Sequence, residues 1–331
     1  MKLSVATFML CVISHTALGQ FDNYNSFEQL DSLSRVYFRA NDLDSTILVL
    51  EYARSQFPDH DEKATSILSF LYKKTKQDTK QLANWEYGLN KRDFFGISKW
   101  EYKHLENNPA FLRLLKIDQQ IGDSLNNLAQ VEYEVVLPVN YSKDKEYPVS
   151  FVFHGNNKNL QHAKAVWTSK VLQNKFVTVY IQSYIHMSKA TYQWKLNDER
   201  TNKEFKEIYR QILKEYPVNK DKVIFLGMSA GGKQAIDYVF NEFIPVYGLV
   251  LNCPVIPNVG DGSINAFVSE SKKIAIITGE NDWALENQRN LIARVDSLEG
   301  NGMLTINAGL GHQFTKDFSV LLDDYLNWML E

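Results

Sequence analysis

Cysteine is scarce in this chain: 331 residues carry two, Cys11 and Cys253. No Cys/His cluster has zinc-ligand spacing, and neither H-E-x-x-H nor the phosphate-cradling G-x-x-x-x-G-K-[ST] occurs, which argues against metal and nucleotide chemistry and implies no cofactor. Charge of either sign in excess is also missing. With 36 basic against 39 acidic residues, a formal net charge of -3 and no long basic run, neither nucleic acid nor an anionic membrane is the main partner. The apolar stretch at the amino terminus, residues 3–13, falls well short of the ~20 residues that cross a bilayer, so the mature chain has no stable membrane span.

That stretch follows Lys2 and precedes Ala17-Leu18-Gly19, a small-x-small site, so residues 1–19 read as a signal peptide cut before Gln20. The expected location is secreted or periplasmic. Only Cys253 would remain, and no intramolecular disulfide could form. It follows the apolar run 246–251 and reads as a buried thiol rather than a nucleophile.

With 44% hydrophobic and 13% aromatic residues, the chain can bury a large core. Residues 20–105 read as helical: Leu30, Leu33, Val36 and Tyr37 are followed by Ile47, Leu50 and Tyr52, by Ile67, Leu68 and Leu71, and by Leu82, Trp85 and Leu89. Breaks at Asn41-Asp42, Pro58-Asp59 and residues 76–78 cut this segment into four helices. Ile47, Leu50 and Glu51-Tyr52 recur 35 residues later as Leu82, Trp85 and Glu86-Tyr87, near the tetratricopeptide period. These helix pairs suit protein contact better than catalysis. Residues 106–130 read as a helical linker.

From Val131 the period becomes strand-like, and strands near 131–137, 147–153, 176–182, 223–227, 246–251, 274–278 and 304–306 alternate with helices near 159–173, 201–216, 230–242, 285–299 and 315–330. Such alternation predicts an α/β class domain over 131–331, a doubly wound, mostly parallel sheet. Within it, residues 223–240 read strand, sharp turn, helix, and the turn is Gly227-Met228-Ser229-Ala230-Gly231. G-x-S-x-G in that setting is a nucleophile elbow, which lifts the serine hydroxyl above the sheet edge. The strand through Phe153 ends in His154-Gly155-Asn156, where an oxyanion-hole loop is expected, with amides of Asn156 and Ala230 as donors. A later strand runs into Glu280 and Asp282, either of which could orient a histidine. His312 sits in a glycine-flanked loop at the last strand's end, as a general base requires.

The region 131–331 resembles the α/β-hydrolase superfamily, with Ser229, Asp282 and His312 in its Ser, acid, His order. LPVNYSKDKEYPVSFVFHG and VNKDKVIFLGMSAGGKQAIDY look most like secreted esterases grouped with polyhydroxybutyrate depolymerases and phospholipase/carboxylesterases. The resemblance implies a Ser229–His312–Asp282 triad, with Asp282 preferred over Glu280 by the family's G-x-x-D spacing, acting on a small or polymer-linked ester. A departure is Asn156-Asn157-Lys158 after His-Gly, where a small residue is frequent. Candidate substrate contacts are His154, Trp194 and Trp283, and the segments 183–199 and 254–266 are expected pocket walls. A serine peptidase or acyltransferase shares this triad, and a non-catalytic binding protein shares the fold.

Overall fold

A computed structural model describes residues 21–331. The signal-peptide reading of residues 1–19 lies outside the described residues. The chain divides into two compact units after Asp123.

The first unit is helical. Helix α1 (Phe27–Arg39) begins where Ser26 Oγ accepts the Gln29 N–H at 3.3 Å and Gln29 Oε1 accepts the Asn25 N–H at 2.8 Å, so two otherwise orphaned amides are satisfied by near neighbours. Asn41, at φ 60°, turns the chain, and Asp42 caps α2 (Leu43–Gln56) by accepting the Ser45 N–H at 3.0 Å. A second hairpin follows, α3 (Asp61–Lys74) and α4 (Asp78–Asn90). Leu30, Val49, Ala53 and Ala64 form one buried cluster, and Leu50, Leu68, Leu71 and Tyr72 another. Helix α5 (Pro109–Leu128) starts on Asn108, whose Oδ1 accepts the Ala110 and Phe111 amides; in it, the buried Asp118 accepts the Phe95 and Ile97 amides and so fixes that turn.

The second unit is a sheet covered on both faces. In chain order it contains β1 (Glu132–Val136), β2 (Tyr147–Phe153), α6 (Leu160–Val166), α7 (Lys170–Lys175), β3 (Val177–Gln182), the small hairpin β4 (His186–Ser188) and β5 (Thr191–Tyr192), α8 (Glu199–Glu215), β6 (Val218–Met228) and α9 (Ala230–Phe240). Then come β7 (Gly248–Asn252), α10 (Asp261–Ser269), β8 (Lys273–Gly279), α11 (Leu285–Asp296), β9 (Asn301–Asn307) and α12 (Phe318–Leu330). Among the described residues the main sheet has seven strands in the order β1-β3-β2-β6-β7-β8-β9, parallel except for the edge strand β1, which runs antiparallel to β3. Alternation along β2 sends Phe151 and Phe153 into a core with Phe205, Ile236 and Phe267 from α8, α9 and α10, and Val152 into the opposite core with Leu172 and Leu326 from α7 and α12. The doubly wound, mostly parallel expectation therefore holds, with a helical segment before it.

Several boundaries differ from the sequence pattern. The helix read over 159–173 is two, because the buried Trp167 ends α6 against Phe318 (ring centroids 5.0 Å apart) and Ser169 Oγ caps α7 through the Leu172 N–H at 2.9 Å. Residues 254–266, read as a loop, contain the start of α10, held by Phe267 stacked on Phe240 at 4.6 Å. Hairpin β4–β5 is too short for periodicity to reveal.

The strand ends bear on function. Phe153 pairs with Gly227, Gly227 with Leu251, and Gly279 with Asn307. Loops after β2, β6, β8 and β9 therefore leave along one edge, where open parallel sheets place their ligands.

Candidate active site

Ser229 occupies the sharp turn between β6 and α9 at φ 54° and ψ -117°. A non-glycine residue there costs roughly 1–3 kcal/mol and persists only when its surroundings hold it. Three backbone bonds do so: Ser229 N–H to Asn252 O at 3.1 Å, and Ser229 O accepting from Lys233 at 2.9 Å and Val255 at 3.2 Å. The flanking glycines answer to close approach. A Cβ on Gly227 would lie 2.7 Å from Gly232 N, and one on Gly231 would lie 2.3 Å from His154 O. The end of β2 is thus pressed against the first turn of α9, and any side chain at Gly231 would separate them.

His312 reaches this turn from the loop after β9, and its Nε2 lies 2.8 Å from Ser229 Oγ. Its Nδ1 lies 2.9 Å from Asp282 Oδ1. The loop is docked on the end of β8: Asn281 N–H donates to Leu310 O at 2.7 Å, and a Cβ on Gly279 would sit 2.2 Å from that same oxygen. Glu280 takes a different part. Its Oε2 accepts the Gly309 N–H at 2.8 Å, so it braces the histidine loop, while the His312 ring bonds Asp282.

Asp282 is buried and surrounded by donors. Beyond His312, Oδ1 accepts the Ala284 N–H at 2.9 Å, while Oδ2 accepts Thr278 Oγ1–H at 2.9 Å and, more distantly, Gln288 Nε2–H at 3.4 Å. Burial pushes the carboxyl up, but the Ala284 amide, His312, Cys253 and Thr278 together outweigh it, and the net direction is downward. An ionised Asp282 fixes the tautomer with hydrogen on His312 Nδ1. Nε2 is then free to accept from Ser229.

Sequence reasoning left Thr278, Gln288 and Cys253 out of the site. Cys253 Sγ lies with ligand atoms of Asp282 and His312 inside a 4.8 Å cluster. Burial first, and the neighbouring Asp282 second, push this thiol up to about 12, so it is protonated at neutral pH and a poor metal ligand. The other two members already bind each other.

The oxyanion candidates lie where the β2 and β6 turns meet. A Cβ on Gly155 would lie 3.8 Å from Ser229 Cβ. Among the described residues, neither the Asn156 nor the Ala230 N–H donates to a backbone carbonyl, whereas the Asn156 side chain is engaged, its Oδ1 accepting the Trp194 N–H at 3.2 Å. Two of the three candidate substrate contacts need correcting. His154 is 1% exposed; its Nδ1 lies 2.8 Å from Gly155 O and its Nε2 accepts the Ser183 N–H at 3.2 Å, and burial lowers it to about 4. It is a neutral loop support. Trp194 is buried too, its Nε1–H donating to His154 O at 2.8 Å. Trp283 is the exception. It is 69% exposed and stacks on His312 with ring centroids 5.1 Å apart, so it forms an apolar rim beside the Ser229–His312 pair.

No protein-family model matches the chain, and no curated protein sequence does. Among solved structures it is similar to an uncharacterized protein from Bacillus cereus, at 16% identity over 92% of this chain and 99% of that one, with a TM-score of 0.49. It is similar to a ferulic acid esterase at 16% identity, over 60% and 93% of the two chains, with a TM-score of 0.49. It is also similar to the Bacillus cereus carboxylesterase at 17% identity, over 63% and 97%, with a TM-score of 0.47. The strand order, the antiparallel edge strand and the helices on both faces make this a doubly wound, mostly parallel α/β fold.

Proposed function

We propose that this chain is an exported serine hydrolase that cleaves a carboxylic ester through an acyl-enzyme intermediate. The observation that carries the reading is the unbroken hydrogen-bond chain from Asp282 through His312 to Ser229, at 2.9 and 2.8 Å. Ser229 Oγ attacks the ester carbonyl while its proton passes to His312 Nε2, and Asp282 stabilises the resulting imidazolium. The Asn156 and Ala230 amides receive the negative charge that develops on the carbonyl oxygen. His312 then returns the proton to the departing alcohol. Water attacks the acyl-enzyme with His312 again as base, which releases the acid and restores the Ser229 hydroxyl.

The test is labelling with a serine-directed phosphonate, located by mass spectrometry, beside turnover of a panel of chromogenic esters and peptides. Label should map to the peptide containing Ser229 and disappear in Ser229→Ala, together with ester turnover. Label on another serine, or retained turnover in that variant, overturns the assignment. Peptide cleavage without ester cleavage favours the peptidase reading.

A further inference from the structure

A cavity of about 510 Å³ opens on the same sheet edge beside β1 and β3, with Glu132, Glu134, Asn159, Gln161, Gln182, Lys189 and Tyr192 among its lining. Pockets for apolar ligands are lined chiefly by apolar side chains; most of the side chains here are carboxylates, amides and two phenols, with one lysine.

Its geometry is fixed from beneath. Gln182 is buried, accepts the Leu160 N–H on Oε1 at 3.0 Å and donates from Nε2 to Glu132 Oε2 at 3.1 Å. Asn159 accepts the His162 N–H at 2.9 Å and donates to Ala190 O at 3.1 Å, tying the start of α6 to the β4–β5 hairpin. Glu134 pairs with Lys164. A carboxylate can accept at about four sites, so these bonds leave acceptor capacity towards the cavity. The charges of Glu132 and Glu134 are matched by those of Lys164, paired with Glu134, and Lys189, also in the lining, so neither an anion nor a cation is favoured, and the amides serve donors and acceptors alike. A neutral, hydroxyl-rich ligand meets all of these groups.

The cavity is tied to the site already described. Phe153 pairs with both Ile181 and Gly227, so Gln182 lies two strand spacings from Met228, roughly 10 Å, and Glu132, paired with Gln182, one spacing further. The Tyr192 wall is bonded to the loop that carries Asn156: Asn157 N–H donates to Tyr192 O at 3.0 Å, and Tyr192 N–H to Lys158 O at 2.9 Å. We propose that this cavity binds one sugar unit of an oligo- or polysaccharide whose ester-bearing unit lies over Ser229. The proposal rests on the ester-hydrolase reading and names its substrate class.

The full chain should be assayed on acetylated neutral oligosaccharides of two to six units and, separately, on 4-nitrophenyl acetate. Underivatised xylo-, cello- and manno-hexaose should be titrated by calorimetry into Ser229→Ala protein. We expect one hexaose series to bind, and kcat/KM on its acetylated form to rise about tenfold or more with length. Glu132→Ala and Gln161→Ala, both exposed positions outside the triad, should abolish binding and the length dependence while leaving 4-nitrophenyl acetate turnover within about twofold. Length-independent rates with no hexaose bound, or equal losses on both substrates in the two variants, overturn the proposal. If 4-nitrophenyl acetate and the acetylated sugars are both inert, the ester reading fails, and hexaose binding lost in Glu132→Ala still supports the cavity by itself.

Discussion

Asp282→Asn keeps the side chain's shape and replaces one acceptor oxygen by a donor, in a place where the Thr278, Ala284, Gln288 and His312 groups all donate. Consider the orientation that leaves the amide oxygen with Thr278 and Gln288: the new NH₂ then faces His312 Nδ1 and the Ala284 N–H, both 2.9 Å from the oxygen it replaces. The ring can accept it only by moving its proton to Nε2, which aims that proton at Ser229 Oγ and removes the base. In the opposite orientation the tautomer survives, but the NH₂ faces the Gln288 amide group and Thr278, whose hydroxyl must turn round to accept, and the charge that stabilises an imidazolium is gone. A mis-set tautomer in the serine-triad template lowers kcat on the order of 10⁴, about 5.4 kcal/mol of transition-state stabilisation. Glu280→Gln is the control, because a glutamine oxygen can still accept the Gly309 N–H at an exposed position. Its effect should stay within about tenfold, the scale of one exposed charge-assisted bond. Both variants would be checked for equal folding by circular dichroism and thermal unfolding, then compared by kcat and kcat/KM on one small ester. Near-normal kcat in Asp282→Asn with a large loss in Glu280→Gln would refute this reasoning.

Further predictions concern the loop and the elbow. His154 is held to about 4 against a reference of 6.5, so the unfolded chain takes up a proton that the folded protein refuses. Stability should therefore fall as pH drops from about 6.5 to about 4, by about 3 kcal/mol from this group; urea unfolding of wild type and His154→Gln across that range checks it, and identical pH slopes would show that His154 is not the cause. Gly231→Ala puts a methyl 2.3 Å from a backbone oxygen, whereas Gly155→Ala meets nothing nearer than 3.6 Å. The first should cost about 2 kcal/mol or more and the second under about 1 in denaturant melts; equal costs would count against the close approach of β2 and α9.

The candidate site was legible where its demands are local. A serine in a strained turn needs glycines beside it, so Gly227, Ser229 and Gly231 announce the elbow within five residues. Strand-to-helix alternation likewise fixed the layer class, because the period of apolar side chains follows from backbone geometry. Spacing could bring Glu280 and Asp282 to the same strand end, but docking of the 307–312 loop against Gly279 decided that Asp282 meets His312 and Glu280 braces Gly309. Periodicity could not bury His154 and Trp194 beneath the oxyanion loop, nor bring Cys253, Thr278 and Gln288 around a carboxylate, since those neighbours come from separate strands, loops and a helix. The sequence by itself determined the layered fold and the residue types of the site; the tertiary structure alone decided which side chains meet, because burial and hydrogen-bond partners depend on how distant segments pack.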